Sequence, residues 1–182
     1  MALRFTTSYL EDSLSLFRYY KSLGDRAMAQ LSDEQMMTAL DPEMNSVALI
    51  VKHMHGNMQS RWSDFLRSDG EKPGRDRDAE FQDPPATKQA VELLWEQGWA
   101  TLFQALVGLT DAELTRTATI RGEAHSVMQI INRQIGHYCY HCGQIVFLAK
   151  HLAGPDWQTL SIPRGNSTQF NQRVKSGEAS QR

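Results

Sequence analysis

Only two cysteines, Cys139 and Cys142, occur among the 182 residues. That is too few for a disulfide framework and fits a reducing compartment. No stretch approaches the roughly 18 consecutive apolar residues of a membrane span. Met1 to Thr7 lack the apolar run and small-residue cleavage site of an export signal, so the chain is expected to be soluble, cytoplasmic and independent of membranes. Neither sign of charge dominates. Against 19 basic residues stand 21 acidic ones, for a net charge of -2, and the signs are interspersed, which argues against nucleic acid or anionic lipid as partner. Two metal motifs are missing as well. The lack of a Glu-x-x-His pair argues against a carboxylate-bridged di-iron bundle, and the lack of His-Glu-x-x-His argues against a zinc peptidase of that type. No internal repeat or low-complexity tract interrupts it.

What is present is helical periodicity. A hydrophobic content of 41% suffices for one core, and four long amphipathic segments carry it, separated by stretches rich in Gly, Pro, Asp and Ser. The first is predicted from a Ser8–Glu11 capping box to about Gln30, with Leu10, Leu14 and Phe17 on one face. A short helical turn follows at 32–40, opened by Ser32 and Gln35 and broken by Asp41-Pro42. The second long helix is predicted from Asn45 to about Arg67, stopped by Ser68-Asp69-Gly70. The third runs from Thr87 to Leu109, with Gly98 as a point of close helix approach. The fourth opens on a Ser126–Gln129 capping box and stops at Ala153 before Gly154-Pro155. Between the second and third helices, residues 71–85 mix both charges with four prolines and glycines and read as a solvated crossover loop. The threonines of 114–125 favour a short strand or hairpin. These elements predict an all-α four-helix bundle in a single domain over 1–172. Trp157, Leu160, Ile162 and Phe170 are expected to pack back on it, and residues 173–182 form a disordered tail.

His137 and His141 stand four apart on the fourth helix, so their imidazoles share a face and can reach one metal ion. On its own such a pair more often marks hydrogen-bonded polar residues at a core edge. The second helix offers His53 and His55 as a third ligand, and residues two apart point to different sides, so only one can join. Periodicity leans toward His55, which lies nearer the stripe of Met54, Met58 and Trp62. Spacing alone does not choose. Cys139 and Cys142 sit in the middle of a helix and read as small buried residues, and the methionines read as packing residues.

Two segments resemble a known family. Lys52-His53-Met54-His55-Gly56-Asn57-Met58 and Gly136-His137-Tyr138-Cys139-Tyr140-His141-Cys142-Gly143-Gln144 are similar to the metal-binding segments of the DinB-like superfamily of four-helix bundles. Within it the chain is most similar to a subgroup of bacterial proteins without assigned activity. That likeness extends through Arg61-Trp62, Asp69-Gly70-Glu71-Lys72-Pro73 and Ser161-Ile162-Pro163-Arg164-Gly165. The resemblance implies a bundle with a long crossover connection and a tendency to homodimerise. It also implies one divalent ion, zinc or nickel, held by His53, His137 and His141, with His55 outside the set.

Three imidazoles and no fourth protein ligand leave a coordination position for water or substrate. The first expectation is therefore a metal-dependent transferase or hydrolase of a small molecule, with a low-molecular-weight thiol as cosubstrate. The alternative is a non-catalytic structural or stress-related protein in which the ion ties two helices together. Asn57, Arg61, Gln134 and Gln144 lie within a turn or two of the ligands and are candidates to orient imidazoles or bind substrate. Arg164 is the tail residue suited to an anion or partner.

Overall fold

The capped amphipathic segments become the four long helices of the computed structural model, which describes residues 6–180. The helices are α1 (Tyr9–Met28), α2 (Asp33–Met37), α3 (Val47–Trp62), α4 (Lys88–Leu106), α5 (Val127–Ala153) and α6 (Ser167–Lys175), with one hairpin of β1 (Thr117–Ile120) and β2 (Glu123–Ser126). Met1 to Phe5, part of the segment read for an export signal, and residues 181–182 of the tail lie outside the described residues. Among the described residues no helix is long and apolar enough to cross a membrane.

Side-chain caps open α1 to α5. The Ser32 and Ser126 boxes form in full, each hydroxyl accepting from the third backbone N–H while Gln35 or Gln129 reaches back. At Ser8 only half the box forms. The hydroxyl accepts from the Glu11 N–H, whereas the Glu11 carboxylate accepts from Thr6 Oγ1 at 2.7 Å. The ends are less regular. α3 stops at Trp62, five residues before the predicted Arg67, because Ser63 is extended and Asp64 takes a left-handed φ of 49°. Phe65 still reaches the core from the turn beyond, which is why the apolar stripe outlasts the helix. α4 ends at Leu106, three residues before Leu109.

The order of contacts along each pair gives the topology. Lys52 bonds the carbonyl of Gln82 just before α4, and Gln59 bonds Thr101 within it, so α3 and α4 run parallel. α1 and α5 are parallel too, Tyr9 meeting Asn132 and Gln30 meeting Gln158. α1 opposes α4, with Asp25 on Trp95 and Arg18 over Phe103. Such a bundle needs a long return between α3 and α4, and residues 63–87 supply it. Gly98 lets α4 close on α3: a Cβ there would lie 2.9 Å from Met58 Sδ and 3.3 Å from the His55 Cα.

Phe17, Trp62, Trp99 and Tyr138, one from each long helix, meet at the centre with ring centroids 5.7–6.4 Å apart. All four are buried, and their edge-on and tilted packing suits aromatic quadrupoles. The Tyr138 hydroxyl accepts from Trp62 Nε1 at 3.0 Å and donates to Asn57 Oδ1 at 3.1 Å. Trp157 and Leu160 pack back on the core while Ile162 is exposed. α6 carries the chain through Arg173 to Lys175, the start of the segment for which composition predicts a tail.

Candidate metal centre

One turn from this aromatic centre, the seam between α3 and α5 turns polar. His53, one turn before Asn57, faces His137 and His141, which flank Tyr138 on α5. His53 Nε2 lies 3.3 Å from His137 Nε2, and His141 Nε2 lies 3.1 Å from the same atom. The three ligand atoms fall within 4.8 Å of one another. His53 and His141 are buried and His137 is half-buried. His55 points elsewhere, its backbone against Gly98 of α4, and takes no part in the cluster.

The second nitrogen of each ring decides what the first presents. His53 Nδ1 is 2.8 Å from Glu80 Oε2, and a carboxylate only accepts, so the proton sits on Nδ1 and the Nε2 lone pair faces inward. Gln144 does the same for His141: its Oε1 lies 2.8 Å from Nδ1, and its amide nitrogen donates to the Tyr140 hydroxyl. His137 Nδ1 is buried without a partner. Burial, then the charges of His141 and His53, pull the His137 pKa down to about 3. Burial also pulls His141 to about 4, against its bond to Gln144. His137 and His141 are therefore neutral at neutral pH, and the Nε2 atoms of all three rings cluster together.

That arrangement fits a metal ion. With bonds of about 2.0–2.1 Å to imidazole, tetrahedral geometry separates two ligand nitrogens by roughly 3.3–3.4 Å, and cis positions of an octahedron by roughly 2.9 Å. The observed 3.1 and 3.3 Å lie in that interval. Among the described residues the cluster holds no fourth His, Cys, Asp or Glu.

Of the four polar neighbours singled out in the sequence, Gln144 hydrogen-bonds a ligand ring. Asn57 instead accepts from Tyr138. Arg61 turns away to the crossover, donating to the Gly70 carbonyl and to Glu71 Oε2. Gln134 is buried with Oε1 unpartnered. Arg164 is exposed ahead of α6. The residue that sequence reasoning missed is Glu80. It lies in the crossover expected to be solvated, yet its side chain is 8% exposed and that of its partner Arg75 is 5% exposed. Phe81 beside it stacks on His53 with centroids 4.6 Å apart. A signal existed in Gly56, a helix-interior glycine without an assigned purpose: a Cβ there would come within 2.7 Å of Glu80 Cδ and closer still to Oε1.

The bundle and its connection define a DinB-like fold. A DinB-like protein from Bacillus cereus ATCC 10987 superimposes with a TM-score of 0.63 at 15% identity, over 81% of this chain and 94% of that one. No curated protein matches the sequence. Residues 4–166 match the family described as Protein of unknown function (DUF1572), and the chain belongs to that family.

Proposed function

We propose that the chain is a metal-dependent transferase or hydrolase of a small molecule, holding one zinc or nickel ion through His53, His137 and His141. The observation that carries this reading is the convergence of three Nε2 atoms, two of them on rings whose Nδ1 is anchored by Glu80 or Gln144. A closed structural zinc site takes four protein ligands, and this cluster offers three. A bound ion supplies Lewis acidity toward a substrate oxygen or a thiol. The residues themselves orient the electron pairs and keep the seam toward Tyr138 dry. A low-molecular-weight thiol as cosubstrate and a homodimer are part of the same reading, on the strength of the DinB-like resemblance. The exposed Tyr140 and Phe147 on the outer face of α5 offer apolar surface for a second copy.

The test is elemental analysis of the purified, untagged protein and of His53→Ala, His55→Ala and His141→Ala. About one equivalent of metal in wild type and His55→Ala, lost from the other two, is the expected result. Metal content unchanged across all three variants removes the site and the enzyme reading with it. Light scattering on the same wild-type sample decides the dimer, since a monomeric mass excludes it.

A further inference from the structure

We infer that Glu80 is the positioning residue of the metal centre, and that through it the crossover between α3 and α4 is coupled to metal occupancy. This rests on the three-histidine reading above.

The geometry is a chain of fixed contacts. Glu80 Oε2 receives His53 Nδ1 at 2.8 Å, and Arg75 grips both carboxylate oxygens, Nε to Oε1 at 2.7 Å and Nη2 to Oε2 at 3.0 Å. A two-point guanidinium–carboxylate pair sets direction as well as charge. It leaves Oε2 with one orientation, toward His53. Three packing features hold the arrangement. Gly56, one helical turn along from His53, vacates the space that the carboxylate occupies. Phe81, next in the chain, lies flat on the His53 ring. Arg75 also reaches Glu71, which Arg61 of α3 and Arg121 of the hairpin turn both engage. Carboxylate, arginine and aromatic ring all arrive from residues 71–81, which no helix of the bundle supplies.

Two consequences follow. Glu80 holds the His53 tautomer that presents Nε2 to the ion and makes that nitrogen a better donor. Because the carboxylate rides on the crossover, an ion bound at Nε2 favours the docked loop by the same factor that the docked loop favours the ion.

The experiment measures zinc affinity by competition with a chromophoric chelator for wild type, His137→Ala, Glu80→Gln and Gly56→Ala. Proteolysis of the crossover with and without zinc is followed in parallel. Glu80→Gln keeps the shape and loses the charge. Gly56→Ala leaves every ligand and the carboxylate in place chemically while its methyl displaces Glu80, and it raises the intrinsic helix propensity of α3. The expected result is a zinc affinity about 10–100-fold weaker in both, with unchanged helical circular dichroism of the metal-free proteins. Zinc should also slow crossover cleavage in wild type more than in either variant. A merely structural Glu80 would lower thermal stability without moving zinc affinity. Affinities within twofold of wild type in both variants, with His137→Ala still abolishing binding, overturn the role of Glu80 and leave the metal site standing. Equal zinc binding by wild type and His137→Ala overturns both.

Discussion

Tyr138 shows how one hydroxyl is made indispensable by its surroundings. Fully buried, it takes the Trp62 indole N–H and gives its own proton to Asn57, and burial pushes its pKa up. Replacing it with Phe leaves the ring packing intact but strands a donor and an acceptor in the core. Tyr138→Phe is expected to lose about 1–3 kcal/mol, read from urea unfolding. A loss below about 0.5 kcal/mol would mean that water or a shifted side chain satisfies both groups. The residue also separates His137 from His141 in sequence, so the site and the core share one stretch of helix with two faces. His53 and Asn57 repeat that division on α3, one reaching the imidazoles and the other the hydroxyl.

Between elements, the structure is tied by polar loops rather than by helix packing alone. The hairpin turn at Arg121-Gly122 takes two positive φ angles, 57° and 77°, as a two-residue turn of type I′ requires. Its N–H groups donate to the Asp69 carboxylate at 2.8 Å. Asp69 accepts from the Glu71 N–H first, then from Gly122 and Arg121, and its pKa falls from 3.8 to about 2. A carboxylate whose folded pKa is depressed stabilises the native state above its unfolded pKa, and that contribution disappears as pH falls through the folded value. The stability difference between wild type and Asp69→Ala is therefore expected to be constant above about pH 5 and to shrink from there toward about pH 2. Urea unfolding at stepped pH checks it, and a gap unchanged across that interval refutes the assignment. How far elements were legible in sequence follows from where their signals lie. α5 was readable at both ends because Ser126, Gln129 and Gly154 act locally. The end of α3 was not, because Phe65 keeps the helical period from outside the helix. The imidazole pair on α5 was legible from spacing and His53 only through resemblance. Glu80 was hidden because its burial depends on Arg75, Gly56 and Phe81 meeting in space, which a charged, proline-bearing stretch does not announce.

For the whole molecule, the site spans the seam between α3 and α5, whose direct contact is smaller than that of α3 with α4 or α1 with α5. An ion held from both helices would tie together the pair with the smaller direct contact. Zinc at about 100 times its dissociation constant should add about 2.7 kcal/mol to stability. That raises the thermal midpoint by roughly 5–10 °C for a chain of this size. Chelation should reverse the shift, and His137→Ala should show none. A midpoint insensitive to zinc in wild type would contradict a bridge between the two helices.

The separation of the ligands along the chain has a consequence for biosynthesis. His53 and His137 are 84 residues apart, and the rings that complete the cluster lie on the last long helix. A nascent chain emerging from the ribosome carries His53, Asn57 and Glu80 long before it carries their counterparts. Capture of an ion by all three imidazoles would thus have to follow the synthesis of α5, because a polypeptide truncated ahead of α5 has one imidazole of the three. An ion held by all three imidazoles would mark a chain in which α3 and α5 have already come together.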